Sequence, residues 1–128
     1  MNYYFTKVLG CSFEEAILKV TAELKNEGFG ILTEINVKET MKKKLDVDFR
    51  NYKILGACNP QFAYKALQEE EKIGLLLPCN VIVQENSQGK VEVSAINPLV
   101  SMQAVENSNL ADIAQEVKNK LEKVISLL

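Results

Sequence analysis

The chain has 128 residues, of which 47% are apolar and 25% are charged, a composition typical of one globular domain rather than of a disordered chain or a membrane protein. With 15 basic and 17 acidic residues, the net charge is -2, so no strong field would attract nucleic acid or an anionic membrane. The sequence contains no histidine, which excludes histidine-based hydrolytic triads and histidine-ligated zinc.

The first third of the chain predicts a strand, a long helix, a second strand and a short helix. Residues 3–9 are rich in aromatic and branched side chains, as strands are. Ser12 begins a capping box, apolar residues then recur at three- and four-residue spacing, and Gly28 is placed to end the helix. Alternating apolar residues predict a strand over 29–37, and apolar residues four apart predict a short helix over 38–45.

The middle of the chain predicts a strand, a helix and a β-hairpin. The strand covers Tyr52 to Cys58 and ends at Asn59-Pro60, where Asn59 is expected to cap a helix that runs to about Glu71. Residues 79–85 and 90–96 flank the turn Asn86-Ser-Gln-Gly89 and are predicted to pair as a hairpin.

The end of the chain predicts two helical segments. Asn97-Pro98 opens a short helical turn, and Asn109 or Ser108 is expected to cap a last helix with a wide apolar stripe. No linker, repeat or low-complexity segment interrupts residues 1–128, so one domain is predicted. Helices between and after clustered strands favour an α+β fold, a mainly antiparallel sheet with the long helices packed on one face.

The cysteine content and the apolar runs indicate a cellular location. Cys11, Cys58 and Cys79 are odd in number and widely spaced, unlike the disulfide framework of a small secreted domain. The sequence begins without the pattern of a signal peptide, and no apolar run approaches the roughly 20 residues of a membrane helix. We therefore expect reduced thiols in a cytoplasmic protein that has neither a membrane nor a nucleic acid as partner. Three scattered cysteines without histidine do not supply four zinc ligands within one chain, so no metal or other cofactor is predicted. The alternatives for a metal are two thiolates with Glu34, or ligands from a second subunit.

Two Cys-Asn pairs form the candidate site. Cys58-Asn59 ends a strand at the start of a helix, and Cys79-Asn80 begins the next strand. Neighbouring strands could bring the pairs together, and Glu34 could supply an acid. The start of a helix offers free N–H groups and positive potential, which suits an anion or lowers the pKa of a thiol. The main hypothesis is a non-catalytic site that binds a small polar or anionic ligand.

Each of these residues except Asn80 also has a simpler interpretation. A cysteine in an apolar segment is more often a buried small side chain, Asn59 a helix cap, and Glu34 a solvated strand residue. One alternative function is a thiol-dependent redox or metal-handling protein that uses Cys58 and Cys79, and another is a structural dimerisation module. A homodimer is predicted from the apolar stripe of the last helix and from unpaired sheet edges. No complete catalytic motif is present, which indicates a protein that is not an enzyme.

Four segments carry a resemblance to a known family. They are Gly28-Phe-Gly30, Leu32-Thr-Glu-Ile35, Leu55-Gly-Ala-Cys-Asn-Pro60 and Leu75-Leu-Leu-Pro-Cys-Asn-Val81. In this order and spacing they resemble the bacterial and archaeal domain of unknown function 302 family, and the resemblance covers nearly the whole chain. It implies a fold like one TATA-binding-protein module, a β-α-β(4)-α two-layer sandwich. It implies no established activity, and DNA binding does not follow from the fold.

Two positions depart from the family pattern. Asn36 and Asn97 stand where members of the family often carry Asp. A metal-binding or proton-transfer role of those carboxylates would be lost in this chain, whereas a turn-forming role would be kept by Asn.

Overall fold

The computed structural model describes residues 2–128. Its five strands are β1 (Tyr4–Leu9), β2 (Gly30–Asn36), β3 (Tyr52–Cys58), β4 (Cys79–Glu85) and β5 (Val91–Ile96). Its helices are α1 (Phe13–Asn26), α2 (Val37–Leu45), α3 (Pro60–Glu69), α4 (Pro98–Ser101) and α5 (Ser108–Ser126), with a short 3-10 helix at Ile73–Leu76. The predicted α+β class and order of elements are confirmed, and only the 3-10 helix is new.

The five strands form one antiparallel sheet in the order β1-β5-β4-β3-β2. In this sheet the end of β3 lies beside the start of β4, with Ala57 opposite Cys79. Gly30 of β2 lies opposite Cys58 on the other side of β3. The register therefore brings the two Cys-Asn pairs to the same end of the sheet.

The long helices cover one face of this sheet. α1 contacts β4 and β5, while α5 contacts β1, β5 and α1. Val20 and Leu24 of α1, with Leu121 and Val124 of α5, are completely shielded from solvent. α3 has its main contacts with α5 and with the 3-10 helix. Within residues 2–128, no helix is both long and apolar enough to cross a membrane.

Local caps explain where several helices begin. The Glu15 N–H donates to Ser12 Oγ at 3.1 Å, as the capping box predicts. Asn36 caps α2, since its Oδ1 accepts from the backbone N–H three residues later at 3.1 Å. Asn97 caps α4, since its Oδ1 accepts from the Leu99 N–H at 3.1 Å. Both asparagines therefore have the turn-forming role that an aspartate would also perform.

The cap of α5 corrects the sequence prediction. Asn107, rather than Asn109 or Ser108, is the N-cap, and its Oδ1 accepts from the N–H groups of Asn109 and Leu110. Its Nδ2 also donates to the Glu69 carbonyl oxygen at the end of α3, at 3.1 Å. This contact between two helices selects Asn107 among three adjacent residues that can all act as caps.

Candidate functional site

An apolar pocket of about 350 Å³ lies between the sheet, α3 and α5. Ala57 and Cys79 border it from the strand ends. Ala63 and Ala66 border it from α3, and Ala114 borders it from α5. The space exists because these helix positions carry only a methyl group where a longer side chain would fill it. The volume is within the range of small-molecule sites.

The lining of this apolar pocket carries no charged side chain. Apart from the amide of Asn59 and two thiols, its side chains offer no strong hydrogen-bonding group. The complete lining is Phe29, Leu32, Ala57, Cys58, Asn59, Phe62, Ala63, Ala66, Leu67, Gly74, Leu77, Pro78, Cys79, Pro98, Met102, Ile113, Ala114 and Val117. A ligand in this space would meet hydrocarbon on nearly every side.

Two leucines mark the mouth of the pocket. Leu32 is 67% exposed and Leu67 is 44% exposed, although both line the pocket. The pairing of β2 with β3 is irregular between Ile31 and Thr33. An irregularity of this kind redirects a side chain out of the strand's normal alternation, which is how Leu32 comes to stand at the mouth.

Three of the five residues predicted for the site line the pocket, namely Cys58, Asn59 and Cys79. Asn80 and Glu34 are exposed and do not line it. Asn80 directly follows Cys79 in β4, and successive side chains of a strand point to opposite faces of the sheet. Glu34 lies on the edge strand β2, beyond the irregularity that redirects Leu32.

Asn59 occupies the N-cap position of α3, as predicted, but its side chain makes no capping hydrogen bond. Its Nδ2 donates instead to the carbonyl oxygen of Glu27, at the end of α1, at 3.3 Å. Pro60 occupies the first turn of α3, where its fixed φ and missing N–H suit a helix start that lacks a side-chain cap. Asn59 thus ties the start of α3 to the end of α1 beside the pocket.

Both thiols at the pocket are unpaired cysteines. Cys79 is buried, whereas Cys58 is partly exposed. Burial, with a further contribution from the nearby Cys58, raises the pKa of the Cys79 thiol from 9.0 to about 11. The surroundings therefore keep Cys79 protonated, in contrast to the electropositive surroundings of reactive cysteines. In the part of the chain that the structure describes, no three Cys, Asp or Glu side chains form a group that could hold a metal ion.

Gly56 of β3 allows the strand that borders the pocket to lie close to its neighbours. A Cβ atom at this position would lie 2.8 Å from Pro78 Cγ and would also contact Thr33 Oγ1. Both contacts are too short for a carbon atom, so β3 can approach Pro78 this closely only with glycine here.

Sequence reasoning assigned no residue of α3 or α5 to the site, and so it missed most of the pocket wall, including Met102. The usable signal is small residues on the inward faces of two helices, Ala63 and Ala66 on α3 and Ala114 on α5. Methyl side chains at such positions leave a gap wherever the helix does not move inward to close it.

Comparisons with known proteins agree with the fold and the motifs. The family model described as "Domain of unknown function DUF302" matches residues 5–128. A search of solved structures finds the crystal structure of the uncharacterized conserved protein DUF302 from Bacillus stearothermophilus, with 28% identity and a TM-score of 0.91. The match covers 98% of each chain. A search of curated proteins gives no match. The chain therefore belongs to the domain of unknown function 302 family.

Proposed function

We propose that the protein binds a small, largely apolar molecule in the pocket between the sheet, α3 and α5. The observation that carries this proposal is an open space of about 350 Å³ whose lining contains no charged side chain. Protein interiors are normally packed as densely as organic crystals, with few voids larger than a water molecule. A space of this size in an apolar region is therefore suited to a ligand.

The lining favours an apolar ligand over the small polar or anionic ligand expected from the sequence. A charged group placed there would lose its hydration without gaining a charged partner, which is costly. Each methylene that enters contributes about 0.8 kcal/mol instead. Asn59 and the partly exposed Cys58 are the polar groups of the lining that a single hydroxyl or carbonyl of the ligand would approach.

Filling the pocket tests this proposal. The variant Ala63→Leu places three more carbon atoms in the pocket. Its control, Ala22→Leu, makes the same change on the exposed surface of α1. Displacing about three methylenes of ligand should weaken binding by roughly fiftyfold. The probe is decanol, and the measurement is isothermal titration calorimetry of the wild type and both variants. Circular dichroism checks that the variants are folded.

Two results would contradict the proposal. Wild-type protein that binds no decanol would show that the pocket does not accept an alkyl chain. Equal affinity of Ala63→Leu and Ala22→Leu would show that decanol binds at another place.

The thiol-dependent redox or metal-handling alternative rests on one observation, that Cys58 and Cys79 line the same pocket. The raised pKa of Cys79 works against it, because the thiolate is the form that attacks electrophiles and binds metals. We therefore favour ligand binding, and the alkylation experiment below separates the two.

A homodimer and a role as a dimerisation module stay predictions, as does a cytoplasmic location. The apolar stripe of α5 is buried within the chain, so it offers no dimer surface. The support that remains is the two edge strands, β1 and β2, which carry exposed apolar side chains such as Val8 and Ile35. Light scattering at high protein concentration tests the prediction, and a monomer would refute it.

A further inference from the structure

We infer that the ligand carries a linear alkyl chain and that Met102 sets the longest chain that the pocket accepts. This inference rests on the proposed function. It comes from a second cavity, of about 180 Å³, which lies between α4 and α5. This second cavity is lined mainly by apolar side chains such as Leu99 and Leu110, together with the exposed Gln103, and it shares Met102 and Ala114 with the apolar pocket. The two spaces are therefore neighbours with a common wall.

The common wall lies at the deep end of the apolar pocket. Leu32 and Leu67 at the mouth are exposed, whereas Met102 is 9% exposed and Ala114 is 3% exposed. A ligand that enters at the mouth thus extends inward until it reaches Met102. Two mainly apolar spaces that share a wall at Met102 suit a flexible chain better than a rigid ring system.

Met102 is the movable part of the partition. Ala114 has no side-chain atoms beyond its Cβ, so the longer side chain of Met102 forms most of the wall between the two cavities. Methionine is unbranched and has three rotatable side-chain bonds, which lets it adapt to irregular spaces. The position of its side chain therefore determines whether the alkyl chain of a ligand ends in the apolar pocket or extends into the second cavity.

The cavity volumes give the expected chain lengths. If a methylene takes about the 30 Å³ of a water molecule in the liquid, about 350 Å³ holds roughly twelve carbon atoms and about 180 Å³ holds roughly six more. Each buried methylene strengthens binding by roughly fourfold. Affinity should therefore rise with chain length and level off when the accessible space is full.

A series of straight-chain alcohols from hexanol to tetradecanol tests the inference. The measurement is isothermal titration calorimetry, with competition against decanol for the least soluble alcohols. Wild-type affinity should rise by roughly fourfold per methylene and level off near dodecanol. In Met102→Ala the rise should continue, so that tetradecanol, with two more methylenes than dodecanol, binds this variant roughly sixteenfold more tightly than it binds the wild type.

Three control variants accompany this change. Met41→Ala removes the same side chain from α2, where it lines neither cavity, and should keep the wild-type profile. Met102→Leu nearly keeps the side-chain volume at position 102 and should also keep the wild-type dependence of affinity on chain length. Ala114→Leu extends the common wall into the space and should shorten the longest chain accepted, which gives an independent test if Met102→Ala does not fold.

The outcomes separate the two proposals. If the wild type binds decanol but Met102→Ala levels off at the same length, Met102 does not limit the chain and the inference is overturned, while the proposed function stands. An unchanged profile in Ala114→Leu would overturn it in the same way. If no alcohol binds the wild type, the proposed function itself fails.

Discussion

Cys79 is expected to react only slowly with iodoacetamide while the protein is folded. Its thiol is buried beside Cys58, and its pKa lies at about 11 rather than 9.0. At any pH well below both values, a pKa higher by two units leaves roughly a hundredfold less thiolate, the form that reacts. Restricted access of the reagent would slow the reaction further.

Peptide mapping by mass spectrometry measures the rate at Cys79 itself, with Cys11 and Cys58 left in place. In the folded protein the rate should increase with pH up to an inflection near 11, and in urea-unfolded protein the inflection should lie near 9. An inflection below 9 in the folded protein would show that the pKa of Cys79 is lowered rather than raised, and this would refute the prediction. It would favour the thiol-dependent alternative instead.

The same pKa predicts how stability depends on pH. Because the folded protein holds the Cys79 proton more tightly than the unfolded chain, the contribution is complete below about pH 9 and is lost as the pH rises through 11. The wild type should therefore lose about 2 kcal/mol of unfolding free energy by pH 11 that Cys79→Ala does not lose. Urea titrations of both proteins across this window measure the difference, and parallel curves would contradict the prediction.

Further predictions concern stability. Gly56→Ala should lower the unfolding free energy by about 1–3 kcal/mol, because its Cβ would overlap neighbours such as Pro78; a neutral effect in urea titration would show that β3 can shift. Asn97→Ala should cost about 2 kcal/mol, since Asn97 is 1% exposed and its amide also donates to the Asn2 carbonyl oxygen. Asn36→Ala should cost about half as much, because its cap is exposed. Equal losses in the two variants would argue against a role for burial.

The order of elements could be predicted because its signals are local. Ser12 caps the helix that it precedes, and β3 runs from Tyr52 to Cys58 as its composition predicts. The cap of α5 could not be chosen from the sequence, because Asn107 is selected by a contact with the end of α3. Local rules identify a group of possible caps, whereas a contact between distant segments decides among them.

The candidate site was partly predictable for a similar reason. Cys58 and Cys79 lie at the end and the start of strands that pair, so their proximity follows from the topology. Asn80 could have been excluded, since a residue next to an inward-facing Cys79 in a strand must face outward. The hydrogen bond of Asn59 could not be predicted, because its acceptor is the carbonyl oxygen of Glu27, which lies 32 residues away in the sequence.

The pocket itself could not be predicted, because an alanine in a helix has two opposite effects on packing. Ala16 of α1 is completely buried and is part of the close-packed core, so there the small side chain lets the helix approach the sheet. Ala63 and Ala66 of α3 border an open space instead. The difference lies in what holds each helix, since α3 packs mainly on α5 and the 3-10 helix, with Phe62 at its start.

A helix held away from the sheet by other contacts keeps its gap open, and this has a measurable consequence. A larger apolar side chain at position 63 buries surface without having to move a packed neighbour. Ala63→Leu should therefore keep or raise the unfolding free energy, by up to about 2 kcal/mol, while it weakens ligand binding. The same change at Ala16 should destabilise the protein by about 1–3 kcal/mol, because that core has no free space. If urea titration showed equal losses at both positions, α3 would be as closely packed as α1, and the pocket could not be a site kept open for a ligand.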